Sequence, residues 1–427
     1  MNLLFYLLVF LLVLIVSSTT NKLLPFLPLP LVQILLGIVI GLFLPNTDFH
    51  LNTELFLALV IGPLLFRESE EADITAILKH WRIIVYLIFP VIFISTLSLG
   101  GLAHLLWLSL PLAACLAVGA ALGPTDLVAF ASLSERFSFP KRVSNILKGE
   151  GLLNDASGLV AFQVALTAWT TGAFSLGQAS SSLIFSILGG FLIGFLTAMT
   201  NRFLHTFLLS VRATDIASEL LLELSLPLVT FFLAEEVHVS GIIAVVVAGI
   251  LKASRFKKIT LLEAQVDTVT ETVWHTVNFM LNGSVFVILG MELEMIAEPI
   301  LTNPIYNPLL LLLSLVALTF VLFAIRFVMI YGYYAYRTRR LKKKLNKYMK
   351  DMLLLTFSGV KGTVSIATIL LIPSNLEQEY PLLLFLVAGV TLVSFLTGLV
   401  VLPHLSDEQE ESKDYLMHIA ILNEVTS

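Results

Sequence analysis

Along the chain, long stretches of Leu, Ile, Val and Phe are broken by short clusters of charge, Gly, Pro and Asn. A membrane helix needs about 20 mainly apolar residues, with a working range of roughly 17–25. Thirteen runs approach that length, near 3–18, 29–45, 53–67, 83–107, 110–132, 147–171, 181–204, 218–235, 238–252, 274–293, 307–334, 352–372 and 380–402. The runs at 53–67 and 238–252 are short. The first run lacks a basic leader and a small-residue cleavage site, so it reads as a retained span rather than a signal peptide. The pattern predicts an all-α polytopic membrane protein of about 13 transmembrane helices.

Composition narrows the class further. Of 427 residues, 57% are hydrophobic and 13% charged, and mean hydropathy is +0.94. A soluble domain carries roughly 25% charged residues, so a water-soluble globule is excluded, as are disordered, collagen-like, coiled-coil and disulfide-stapled chains. The single cysteine, Cys115, sits in an apolar stretch and reads as a small core residue.

The distribution of charge says more than the net −5. All but two of the 25 Lys and Arg residues fall in the loops after runs 1, 3, 5, 7, 9 and 11 or in the tail. The intervening loops hold only acids such as Glu235, Glu236, Glu294 and Glu298. Cytoplasmic loops concentrate Lys and Arg, so the N-terminus is expected outside and the C-terminus in the cytoplasm. The basic run from Arg337 to Lys350 reads as a topogenic loop facing anionic lipid rather than a nucleic-acid patch. The tail 405–427 is short and opens acidic, with Asp407, Glu408, Glu410 and Glu411. No soluble partner or regulatory module is indicated. Short loops and a compact tail suggest the plasma membrane of a prokaryote.

The two remaining basic residues are Arg326 in run 11 and Lys361 in run 12. A charge in hydrocarbon costs several kcal/mol unless it is paired or faces a cavity. The acids at membrane depth are Asp126, Glu150 and Asp155. Glu150 and Asp155 are five apart, about 500° round a helix, and point in different directions. Arg326 is therefore expected to neutralise Glu150 as a structural pair, leaving Asp155 free to bind a cation.

Run 5 contains Gly123-Pro124-Thr125-Asp126, where proline removes a donor and the helix should break. Run 12 contains Ser358-Gly359-Val360-Lys361-Gly362-Thr363, a second polar interruption. Broken helices at corresponding positions of two halves point to a transporter site. The two breaks are seven runs apart, an odd offset. Two inverted six-span repeats follow, about 1–172 and 218–403, joined by the span 181–204 within a transmembrane domain of 1–404. Asp126 is expected to compensate positive half-helix ends and Lys361 negative ones. The pairs Gly37–Gly41, Gly119–Gly123 and Gly190–Gly194 read as close helix packing.

At these residues the sequence resembles the monovalent cation:proton antiporters, in the branch with bacterial and animal sodium/proton exchangers. Gly123-Pro124-Thr125-Asp126 matches the family's Gly-Pro-Thr-Asp, and Gly149-Glu150-Gly151-Leu152-Leu153-Asn154-Asp155 its Gly-Glu-Ser-Leu-Leu-Asn-Asp. Further matches are Ala234-Glu235, Val239-Ser240-Gly241, Asn278 to Glu292, Arg326, and Ser358 to Ala367. The resemblance implies thirteen helices, a mobile core domain in which runs 5 and 12 cross, and a dimerisation domain that forms a homodimer. It places the ion-binding aspartate on Asp155, its partner on Asn154, the unwound-segment pair on Thr125 and Asp126, and the core ion pair on Glu150 and Arg326. Three departures stand out. The motif serine is Gly151, so one ligand oxygen must come from water or backbone. The usual arginine of run 12 is Lys361, which is cationic but not a bidentate donor. The acid that closes run 3 is displaced by Arg67; Glu68 is the nearest candidate, against its reading as a solvated acid beside Glu70 and Glu71.

The function expected is secondary active transport: exchange of a monovalent cation, Na⁺ or Li⁺, for a proton, without enzyme chemistry or cofactor. One carboxylate, Asp155, holds either ion, and only a neutralised site crosses. Burial raises a carboxyl pKa and nearby cations lower it, so the two together can set such a site near working pH. Because Asn154 rather than a second acid precedes Asp155, one proton should exchange for one cation, electroneutrally; the family likewise associates Asn-Asp with electroneutral exchange. Oxygens of Asp155 and Thr125, with Asp126 and Ser157 as further candidates, suit Na⁺ and do not exclude K⁺. A cation channel is the rival class; it wants a continuous lined pore, whereas the ionisable residues cluster on a few runs.

Overall fold

The computed structural model describes residues 2–23, 29–43, 53–72, 74–126, 129–130, 137–172, 176–211, 215–253, 261–302, 306–340, 342, 344–369, 372 and 379–408. Helices dominate. The first part holds α1 (Asn2–Leu23), α2 (Leu29–Phe43), α3 (Thr53–Phe56), α4 (Gly62–Glu71), α5 (Ile74–Leu78), α6 (Trp81–Tyr86), α7 (Ile92–Leu106), α8 (Leu112–Ala121) and α9 (Lys141–Thr171). Then follow α10 (Leu176–Ser210), α11 (Ile216–Glu236), α12 (Gly241–Ala253), α13 (Leu261–Thr302), α14 (Pro308–Arg340), α15 (Met349–Phe357), α16 (Thr363–Ile369) and α17 (Tyr380–Leu405). Each of the thirteen apolar runs contains helix. Among the described residues, six helices are long and apolar enough to cross a membrane: Trp81–Leu106, Ile184–Ser210, Ile216–Glu236, Thr268–Glu294, Pro308–Arg340 and Tyr380–Leu405.

Several helices outrun their apolar stretches. The run at 147–171 starts at Lys141, and the run at 274–293 lies inside a helix of 42 residues. Backbone hydrogen bonds continue past the hydrocarbon edge, where polar side chains are solvated. Two π-helical turns, Leu57–Ile61 and Leu87–Val91, were not expected. Both have a proline cause: Pro90 lies inside the second, and Pro63 starts the helix after the first. Proline lacks an N–H and clashes with the carbonyl four residues back, so the ladder shifts register.

The helices pack in two groups. α2 lies along α13, and α12 contacts α4, α10 and α11. In the second group α8 contacts α7 and α9, while α14 contacts α7, α15 and α17. α13 touches α17 between the groups. Small residues allow the closest approaches. A Cβ on Gly37 would overlap Val287 and Gly290, one on Gly119 would overlap Thr96 and Gly100, and one on Gly194 would overlap Ala244. Cys115 is fully buried in the apolar core around α8. A two-residue strand, β1 (Phe137–Ser138), pairs antiparallel with β2 (Asp407–Glu408), fixing the chain after α17 to the segment before α9. The rest of the acidic tail, with Glu410 and Glu411, lies outside the described residues.

Candidate ion-binding site

The second helix group is broken twice at its centre. α8 stops at Ala121, and Leu122 to Asp126 run without helix; α15 stops at Phe357, and Ser358 to Gly362 do the same. The two unwound segments touch: the Asp126 N–H donates to the Val360 carbonyl at 3.0 Å. A Cβ on Gly362 would stand 2.5 Å from Asp126 Oδ2, so only glycine admits the carboxylate there.

Each segment supplies the charge that the other's helix end requires. Lys361 Nζ donates to the Gly123 and Pro124 carbonyls at 2.8 and 2.5 Å, placing a cation at the negative end of α8. Asp126 accepts the Ala129 N–H at 2.7 Å and lies against Gly362, just ahead of the positive end of α16. The Lys361 backbone N–H donates to Ser394 of α17 at 3.1 Å. Lys361 is 2% exposed, so carbonyl dipoles rather than water solvate its ammonium. The two carbonyls are separate acceptors, which a lysine ammonium can reach without the planar fork of an arginine.

α9 passes beside the break and carries the remaining groups. Glu150 and Arg326 are 1% and 4% exposed and form a two-pronged pair: Nη1 to Oε1 at 2.6 Å and Nη2 to Oε2 at 2.8 Å. Arg326 Nε donates to the Leu355 carbonyl at 2.9 Å, and Gly359 packs directly on the guanidinium. The Thr125 hydroxyl donates to Glu150 Oε1 at 3.2 Å, joining the ion pair to the unwound segment.

One turn further on α9, Asn154 is fully buried. Its Nδ2 donates to the Thr125 carbonyl at 3.0 Å and to the Thr125 hydroxyl at 2.7 Å. Its Oδ1, also buried, has no hydrogen-bond partner among the described residues. Buried polar atoms are normally satisfied, so this oxygen is available as a ligand for an alkali cation. Asp155 is the next residue of the α9 backbone, and its side chain lies outside the described residues. Ser157, half-buried, donates its hydroxyl to the Asn154 carbonyl at 2.8 Å. Gly158 lets α9 close onto the Pro124 ring. Gly151, at the position of the motif serine, is buried.

Glu68 stands apart from its neighbours. Glu70 and Glu71 pair with Arg67, at 3.0 and 2.7 Å, whereas half-buried Glu68 is close enough to Asp126 for the two carboxylates to repel. Glu71, three residues on, repels Glu68 as well, so these two acids lie on one side of α4. A further charged group was missed from sequence: Lys252 lies 3.3 Å from Glu70 and 2.9 Å from Glu223, and Trp274 Nε1 donates to Glu223 at 3.2 Å. The signal was available, since Glu223 interrupts the apolar run 218–235.

Two touching unwound segments, opposed half-helix charges and unsatisfied buried oxygens on Asn154 and Ser358 thus come together among the described residues. The profile described as sodium/hydrogen exchanger, transmembrane, matches residues 7–406. The chain belongs to the sodium/hydrogen exchanger family. A Bacillus pumilus protein named sodium, potassium, lithium and rubidium/H⁺ antiporter is 35% identical over 402 residues, 92% of this chain and 60% of that protein. The chain therefore spans about three-fifths of the length of such relatives. An uncharacterized Na⁺/H⁺ exchanger of Escherichia coli is 31% identical over 420 residues, covering 94% of this chain and 76% of that one. The sodium proton antiporter MjNhaP1 from Methanocaldococcus jannaschii, solved at pH 8, superposes with a TM-score of 0.69 at 19% identity, over 95% of this exchanger-family chain and 98% of that one. That likeness shows a common fold.

Proposed function

We propose that this exchanger-family chain carries a monovalent cation one way and a proton the other, one for one, with Asp155 as the group both ions occupy in turn. The observation that carries the reading is the contrast on α9. Glu150 is neutralised by Arg326, while Asn154 presents an unsatisfied buried oxygen beside Thr125 and ahead of Asp155. A cation there would draw on Asp155, Asn154 Oδ1 and Thr125, with Asp126, Ser157 and Glu68 as further candidates. The empty, ionised carboxylate stays put because an uncompensated charge does not cross the barrier. Protonated or cation-loaded, it moves, and coupling follows from that restriction.

The same reading takes all thirteen apolar runs as spans, with the N-terminus outside and the C-terminus cytoplasmic, in a plasma-membrane homodimer. It divides 1–404 into inverted repeats about 1–172 and 218–403. Na⁺ or Li⁺ is the first choice of cation. K⁺ is the second: the Bacillus relatives are named for sodium, potassium, lithium and rubidium exchange. The test is proton flux in proteoliposomes on adding Li⁺, Na⁺, K⁺ and Rb⁺ in turn, with and without a voltage clamp. Cation-driven proton efflux indifferent to voltage is expected. Cation uptake without counter-moving protons would overturn the reading.

A further inference from the structure

A cavity of about 800 Å³ opens where α6 begins and α14 ends. Lys79, Arg82, Arg337 and Arg340 line it together with Trp81 and Tyr336. Among the described residues no acid lines it and none of the four cations is in an ion pair. The nearby acid, Asp351, is held by Arg142 at 3.6 Å, and Arg142 also lies over the Tyr334 and Tyr348 rings. His80, in the turn before α6, is held below the usual histidine range by burial and then by Arg142, Arg337 and Lys79, which reports a positive field.

The ordinary explanation is a helix end. Arg337 and Arg340 occupy the last turn of α14, where the dipole offers roughly half a negative charge. That does not account for Lys79 and Arg82, which arrive from a different element. Four like charges around one space repel, and they persist together where an anion can enter. The place also matters. Trp81–Leu106 and Pro308–Arg340 are both apolar enough to cross a membrane, so the cavity lies at the boundary end of two such helices. Trp81 and Tyr336 are 52% and 68% exposed there, as amphipathic rings at headgroup level are. Arg82, Val85 and Phe89 follow one helical face, and Val85 and Phe89 are exposed, leaving an apolar track from the cavity into the bilayer. One turn deeper than Arg82, the Tyr86 ring packs tilted against Tyr333 at 5.2 Å and its hydroxyl donates to the Met329 carbonyl at 3.2 Å, fixing the two helices together.

We propose that this cavity binds the phosphate headgroup of an anionic glycerophospholipid, with the four cations on the phosphate and the acyl chains along Val85 and Phe89. A free phosphate would share the cations but leave the apolar track unused. The test uses the purified full chain in a neutral detergent, observed by native mass spectrometry. It is titrated with phosphatidylglycerol, phosphatidylcholine of the same acyl chains, and inorganic phosphate. Phosphatidylglycerol should bind at one site per chain, far ahead of the other two. Equal binding of phosphatidylcholine, or binding of inorganic phosphate as tight as that of the lipid, would overturn the proposal. The pair Arg82→Gln, Arg337→Gln should weaken phosphatidylglycerol binding roughly fivefold per charge removed. The pair Lys342→Gln, Lys344→Gln, from the same basic run but outside the cavity, should change it less than about twofold. An equal loss in both pairs would mean diffuse surface charge and no site. The wild-type lipid comparison stands whichever variants fold.

Discussion

Glu150 and Asn154 sit one turn apart on α9, both buried and both within reach of Thr125, yet they are treated oppositely. Glu150 has every oxygen used: two prongs from Arg326 and the Thr125 hydroxyl. Asn154 spends its two donors on Thr125 and keeps a bare, buried oxygen. On the proposed reading, the difference separates framework from cargo site. A closed ion pair cannot exchange ions without unfolding its surroundings, whereas an open oxygen next to an aspartate can accept and release one.

Five variants test that division. The largest effect is expected of Asp155→Asn, which should reduce cation-driven proton flux at least about 100-fold while the melting temperature in detergent stays near wild type; retained flux would put the carried ions elsewhere. Next is Glu150→Ala, which strands Arg326 in a dry core and should cost about 3–5 kcal/mol of stability, read as a fall in folded yield and melting temperature. The double variant Glu150→Ala, Arg326→Ala should recover part of that loss, and no recovery would mean that the pair is not the coupled unit its geometry describes. Thr125→Val removes the hydroxyl that bridges both regions, and cation KM should rise roughly tenfold with a smaller change in stability. The mildest is Asn154→Asp: turnover should persist, but exchange should now respond to membrane potential, since a second carboxylate adds a charge to one of the two moving states.

Much of this site was legible in the sequence because hydrocarbon restricts the options. An arginine and a glutamate at membrane depth have few partners besides each other, and Gly-Pro-Thr-Asp can hardly remain helical. What escaped depended on three-dimensional approach. Nothing linear says that Lys361 reaches the carbonyls of Gly123 and Pro124, or that Gly362 lets Asp126 come so near. Glu68 could not be separated from Glu70 and Glu71 until those two were seen to pair with Arg67. The Lys252–Glu223–Glu70 group joins three helices, and its members each look like isolated boundary charges. The π turns were hidden because Pro63 and Pro90 read equally well as ordinary kinks.

The central claim, one carboxylate used alternately by two ions, is tested most directly by competition. The apparent KM for Na⁺ is measured in proteoliposomes at a series of pH values on the cation-loading side. If both ions share Asp155, KM should rise about tenfold per pH unit on the acid limb while the maximal rate at saturating Na⁺ stays constant, because reciprocal linkage at one site is complete. A KM that ignores pH while the maximal rate falls would mean that proton and cation occupy separate groups, and would contradict the account.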